Sequence, residues 1–284
     1  MGKQVKTKEE RKTELNEAME RLDRGVREVF ESGKWAEYLQ VMSRFHRYSA
    51  NNSLLIAMQM PEATAVASYT DWKRKFNRQV RKGERGIRIL APVRYRRKVE
   101  GEDGDEAVIE HLAGFRLAST FDLSQTDGDP LPEIAELLDG TVGRYEQVML
   151  AIAAAAPVPI GFEEIPGSAN GYFSRAERKI AIRRGMSQAQ TVKTAIHELA
   201  HSRMHDFDEG TPKEELPDRA TREVQAESVA FAVASHYGLD TGDYSFGYVA
   251  SWASGRELDE LKASMDAIRK AAHSIIEDMD AALE

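Results

Sequence analysis

The chain of 284 residues has no cysteine, which excludes disulfides, thiolate metal sites and cysteine nucleophiles. Any transition metal must then be held by His, Asp or Glu. Long apolar runs are lacking too. The richest, Val148 to Val158, falls short of the ~18 residues a membrane helix needs. The first twenty or so residues are charged throughout, so they lack the apolar core of a signal peptide. A cytoplasmic protein with no membrane role is expected. What remains is 42% apolar and 30% charged, the balance of a soluble globular chain rather than a disordered one. The length favours two domains over one.

Negative charge dominates, with a formal net of −8, but it is segregated. Between Lys73 and Lys98 stand twelve bases (Lys73, Arg74, Lys75, Arg78, Arg81, Lys82, Arg85, Arg88, Arg94, Arg96, Arg97 and Lys98) and one acid, Glu84. That segment carries +11, and the other 258 residues carry −19. Such asymmetry points to a polyanion-binding part on an acidic chain. The competing explanation is a basic face neutralised by the acidic stretch that follows, Glu100 to Glu110.

Apolar spacing predicts helices over residues 6–31, 34–49, from Asn51 to Pro61, 138–156, 187–204, 219–237 and 257–283, with Ser187 as an N-cap. Strands are expected at 65–69, 86–91, 94–96, 114–117, 160–163 and 178–182, and a hairpin tip at 101–105. Thr126-Asp-Gly-Asp-Pro-Leu-Pro132 is the strongest break. The division is then 1–127, a linker at 128–137, and 138–284, with an α+β fold.

The sharpest motif is His197-Glu198-Leu199-Ala200-His201. On a helix, residues i and i+4 share a face, so both imidazoles can point at one ion. Glu198 then sits beside that ion as a general base. A catalytic zinc usually has three protein ligands, and the next predicted helix offers Glu223 and Glu227, again four apart. Glu223 is the expected ligand and Glu227 the residue that orients a ligand histidine, with the reverse assignment open. His205, one turn past His201, lies too far along an unbroken helix to share the ion, and is expected behind it or on the surface. Tyr172, Arg175 and His236-Tyr237 are weak candidates for an oxyanion donor. His46, His111 and His273 have no partner pattern.

In the basic segment, Tyr69, Trp72, Phe76 and Tyr95 interleave with cations. Single-strand binders combine a cationic groove with rings on which bases stack. The expected contact residues are Trp72, Lys73, Arg74, Lys75, Arg78, Arg81, Lys82, Arg85, Arg88, Arg94 and Arg96. Trp72 and Phe76, four apart, could equally belong to a core.

The stretches Phe45 to Pro61, Arg78 to Pro92, Phe121-Asp-Leu-Ser-Gln-Thr126, the HELAH motif, Glu223 to Glu227 and Tyr248-Val-Ala-Ser-Trp252 resemble the ArdC-type antirestriction proteins. The resemblance spans about residues 10 to 270. It implies an N-terminal single-stranded-DNA-binding domain of mixed α/β structure, followed by a zincin-like metallopeptidase domain related to ImmA/IrrE peptidases. It further implies zinc as cofactor, an unknown protein substrate and protection of incoming mobile DNA. The alternative is a zinc metallopeptidase acting on a partner such as a repressor, with no nucleic-acid role. The acidic hairpin Glu100 to Glu110 and Ser202-Arg-Met-His205 depart from the family pattern.

Overall fold

The computed structural model describes residues 7–100, 106–131, 142–208, 210–239 and 246–284, and their fold is α+β. Contacts divide the chain into two units. One joins the residues up to Gly25 with Leu54–Asp129, and the other joins Val26–Ser53 with Pro130–Glu284. The expected domain 1–127 therefore gives up its residues 26–53. Trp35 shows why: its ring is buried, stacks on Phe30 at 4.3 Å and donates Nε1–H to Ser228 Oγ at 2.9 Å. Apolar periodicity reveals that a helix has a buried face but not which partner buries it.

The first unit contains the start of α1 (Lys8–Glu31) and most of α3 (Ala50–Gln59). Its framework is the antiparallel pair β3 (Ile87–Glu100) and β4 (Glu106–Asp122), with a register shift between Val93 and Arg94. The expected tip at 101–105 lies outside the described residues. Strand β1 (Val66–Ser68) adds to β4. Ser68 then caps α4 (Tyr69–Lys75), its side chain accepting from the Asp71 N–H at 3.1 Å. This helix was not expected, because the sequence alternates up to Tyr69 and the helix is only seven residues long. Two short strands, β2 (Arg78–Val80) and β5 (Thr126–Gly128), pair antiparallel. The expected break at Thr126 thus begins as a strand, and residues from 132 of the expected linker lie outside those described.

The six residues Phe121 to Thr126 form a clasp. The buried Asp122 carboxylate accepts from the backbone N–H groups of Thr64 at 2.7 Å, Ala65 at 3.1 Å and Ser124 at 2.8 Å. Gln125 closes the capping box by accepting from the Asp122 N–H at 3.0 Å. Its Nε2 also donates to Glu84 Oε2 at 3.0 Å and to the Arg85 carbonyl at 2.9 Å. Trp72 donates to the Phe121 carbonyl at 2.8 Å. Three separate segments are held by this one turn.

The second unit contains a three-stranded sheet in the order β6 (Ile160–Glu163), β8 (Lys179–Arg183), β7 (Gly171–Ser174). β6 runs parallel to β8, and β7 antiparallel. The expected strands at 160–163 and 178–182 are present; β7 was not expected. Ile180, Ala181 and Ile182 of the central strand are buried, as suits a strand covered on both faces. Packed with the sheet are α6 (Gln188–Met204) and then α7 (Arg219–His236), joined in the unit by α2 (Trp35–Arg44), α5 (Val142–Ala155), α8 (Gly247–Ala253) and α9 (Leu258–Leu283). Ser187 caps α6 as expected, accepting from Gln190 N–H at 3.2 Å. Among the described residues no helix is long and apolar enough to cross a membrane.

Burial opposes ionisation of Asp122, yet the hydrogen bonds it accepts from Ser124, Thr64 and Ala65 hold the carboxyl below the usual range. Stability from this group is therefore present above the ordinary carboxylate pKa and is lost as pH falls through the depressed value. Asp122→Asn should cost about 1–3 kcal/mol at pH 7 and flatten the acid side of a plot of Tm against pH. An unchanged acid slope would show that the clasp does not depend on this charge.

Candidate metal centre and basic surface

Helices α6 and α7 bring the motif residues together. Buried small residues, Ala195 and Ala200 on one and Ala226 and Ala230 on the other, allow close helix approach. Three atoms converge there. His197 Nε2 and His201 Nε2 are 3.1 Å apart, and Glu223 Oε2 lies 3.6 Å from the first and 3.8 Å from the second. All three belong to a group able to hold a metal ion. A point about 2 Å from each of them exists, which is the length of zinc–nitrogen and zinc–oxygen bonds.

The imidazoles are fixed from behind. Gln225 Nε2 donates to Ser264 Oγ at 3.2 Å, so its Oε1 accepts from His205 Nε2 at 3.0 Å. His205 Nδ1 is then an acceptor, and His201 Nδ1 donates to it at 2.9 Å. That leaves His201 Nε2 with a lone pair facing inward. His205 is buried, and burial lowers its pKa to about 4. Of the two expected places for His205, it takes the one behind the site. On the other ligand, Glu227 Oε2 lies 3.2 Å from His197 Nδ1, and its Oε1 lies 3.4 Å from Lys193 Nζ. The ring's Nδ1 faces a carboxylate, and its Nε2 faces the convergence point.

Three acceptors meeting without a donor create a demand for positive charge. Burial opposes a charge on His197, but the Glu223 and Glu227 carboxylates beside it raise its pKa to about 9. The two histidines in turn hold Glu223 well below the carboxylate range. Glu198 is not one of the three converging groups and is buried beside the edge strand β7. Burial raises its pKa, opposed by His197, His201 and the Phe173 backbone N–H. Gly171 makes the approach feasible: a Cβ there would meet Thr194 Cγ2 at 2.7 Å and Glu198 Cγ at 3.1 Å.

Tyr248, on α8, escaped the residue-by-residue reading because no spacing ties it to the histidines. Burial and the Glu227 and Glu223 carboxylates hold its hydroxyl protonated, well above the usual phenol range. The weaker candidates are engaged elsewhere. Tyr172 donates to Glu163 at 3.0 Å, Arg175 lies 3.4 Å from Asp206, His236 Nδ1 lies 3.1 Å from the Ser43 carbonyl, and Tyr237 donates to Ile276 O and Asp280.

The basic segment divides into tied and untied cations. Arg78 donates to Thr126 Oγ1 at 2.7 Å, to the Thr126 and Gly128 carbonyls at 2.9 and 3.0 Å, and to the Asp129 carbonyl. It is a structural arginine, not an available phosphate contact. Arg81 is bound to Glu84 at 2.9 Å and to the Ser124 carbonyl. Lys75 pairs with Asp71 at 3.0 Å and Arg88 with Glu14 at 3.6 Å. Arg94 and Arg96 share Glu110 across the strand at 3.5 and 3.3 Å, so the acidic stretch does neutralise part of the face. For Lys73, Arg74, Lys82 and Arg85, all exposed, no ion pair is found among the described residues. Trp72 is 1% exposed and cannot stack on a base without unfolding α4. Tyr69, by contrast, is half-exposed and lines an open groove of ≈ 770 Å³ with Arg81 and Lys82.

Residues 6–121 match the family model of the N-terminal domain of anti-restriction factor ArdC. The match contains the stretches Phe45–Pro61 and Arg78–Pro92 and ends at Phe121. The chain is also 27% identical over 315 positions to the uncharacterized protein pXO2-81 of Bacillus anthracis, across 97% of this chain and 53% of that protein. It thus spans about half the length of the curated relative it matches. Two crystal structures of the antirestriction ArdC protein from plasmid R388 are similar at TM-score 0.48 over 83% of this chain. The metal-free form is 23% identical with 84% of its chain covered, and the Mn(II)-bound form 18% with 85% covered.

A buried carboxyl with a raised pKa adds stability only when protonated, so ionised Glu198 weakens the fold at neutral pH. In the presence of a chelator, Glu198→Gln should stabilise the chain by on the order of 1 kcal/mol at pH 7, seen as a higher Tm. A lower Tm would mean that the carboxylate is a structural asset.

Proposed function

We propose, from the match of residues 6–121 to the family model of the ArdC N-terminal domain, that this protein is an antirestriction-type factor that binds single-stranded DNA and carries a zinc peptidase site. The observation that carries the enzymatic half is the triangle of His197 Nε2, His201 Nε2 and Glu223 Oε2. Two imidazole nitrogens and one carboxylate oxygen form a zinc donor set that leaves a coordination position open. Zinc held there would supply Lewis-acid polarisation of a scissile carbonyl. Glu198 takes a proton from the attacking water and returns it to the leaving nitrogen, a role that its raised pKa suits. Glu227 orients His197, and His205 orients His201. Tyr248, held protonated, is the donor available to a developing oxyanion.

The DNA-binding half rests on Lys73, Arg74, Lys82 and Arg85, whose charges are not spent internally, and on Tyr69 beside them. Phosphates meet the cations and a base stacks on the ring. A second reading is favoured by the internal pairing of Arg81, Arg94 and Arg96. In it, the weakened cationic face docks an acidic protein, and the peptidase site regulates that partner.

Metal analysis of the purified chain should find zinc that His197→Ala and His201→Ala each remove, and metal retained in both would refute the ligand set. Glu227→Ala should weaken zinc binding about 10–100-fold. Glu198→Gln should keep zinc and abolish cleavage of peptide substrates. In fluorescence polarisation across a salt series, single-stranded oligonucleotides should bind more tightly than duplex or heparin. Replacing Lys73, Arg74, Lys82 and Arg85 with Glu should lower the salt slope by about 3. Equal affinity for every polyanion would instead favour the docking reading.

A further inference from the structure

Six of the seven histidines gather in two groups, and the second group shares no residue with the first. His46 follows the C-terminus of α2, His236 ends α7, and His273 lies on α9 with Glu277 one turn further. The His46 ring sits 5.0 Å from that of His236 and 5.2 Å from that of His273. His46 Nδ1 and His273 Nδ1 are 2.9 Å apart, and Glu277 Oε1 lies 3.9 Å from the latter. The three ligand atoms fall within 4.8 Å of one another.

We infer that His46, His273 and Glu277 form a second divalent-cation site, in which the ion ties the turn after α2 to α9. Two imidazole nitrogens 2.9 Å apart match neighbouring positions around a six-coordinate ion, where bonds of about 2.1 Å put adjacent ligands about 3 Å apart. The wider nitrogen–oxygen separation suits a larger angle at the same ion. His46 is buried, whereas the His273 and Glu277 side chains are 34% and 43% exposed, so the site has a closed floor and an open mouth.

His236 supports this floor from the side. Its Nδ1 lies 3.1 Å from the Ser43 carbonyl, which can only accept, so Nδ1 carries the proton. The competitor for the carboxylate is Arg47, whose Nε and Nη2 lie 3.0 and 2.9 Å from the same Glu277 oxygen. That arginine is 71% exposed, and an exposed ion pair contributes little, so a divalent ion can displace it at small cost. Without a cation the His46–His273 contact is a single imidazole hydrogen bond, and the carboxylate stands apart from it.

The test is the stoichiometry of Co²⁺ and Zn²⁺ binding to the full chain, by calorimetry and by elemental analysis after gel filtration. The wild-type protein should take two equivalents. His46→Gln with His273→Gln should take one, and so should His197→Ala with His201→Ala; the remaining equivalent differs in each case. A wild-type protein that takes one equivalent, lost only with His197 and His201, would overturn the inference. So would a second equivalent that survives His46→Gln with His273→Gln. Because the two pairs of substitutions share no residue, failure of one site leaves the other measurable.

Discussion

Everything at the proposed metal centre depends on three acceptor atoms being held face to face. Unassisted, two imidazole lone pairs 3.1 Å apart with a carboxylate oxygen alongside repel. The protein fixes their other ring nitrogens on the scaffold: His201 Nδ1 donates to His205, which Gln225 holds, and His197 Nδ1 faces the Glu227 carboxylate at 3.2 Å. These partners convert a mutual repulsion into affinity for a positive charge. The raised pKa of His197 expresses the same demand, met by a proton. Ligand spacing on α6 supplies the first two atoms, but the third and the fixed tautomers come from α7 packing beside it.

The parts of this centre that were legible in the sequence are those set by local geometry. Four-residue spacing on a helix places His197 and His201 on one face, and the Ser187 cap marks where that helix begins. Glu223 and Glu227 were legible for the same reason, as a second pair one helix later. The role of His205 was not, because it needs Gln225 from α7 and Ser264 from α9 to fix a tautomer. Likewise β7, four residues long with no alternation, gives no periodic signal, though it covers Glu198. Trp72 had two sequence explanations, and its buried hydrogen bond to Phe121 settles on the core. The assignment of Val26–Ser53 to the second unit was out of reach, since a buried face does not name its partner.

Charge along the basic segment makes a related point. A count of twelve bases overstates the available field, because Arg78 is enclosed by carbonyls and Thr126, and Arg94 and Arg96 answer to one acid across the strand. Sequence counts cannot separate a cation that holds the fold from one that faces solvent. The exposed remainder is concentrated in α4 and the turn around Gly83, where backbone φ is +95°.

The clasp from Phe121 to Thr126 bears on how such proteins diverge. Its residues are occupied in joining three stretches of the same chain, with Asp122 and Gln125 each committed to several internal partners. A stretch so committed to internal partners is carpentry rather than a reading head. The exposed lysines around it take no part in this joinery, so their replacement leaves the frame standing while the charge of the surface changes.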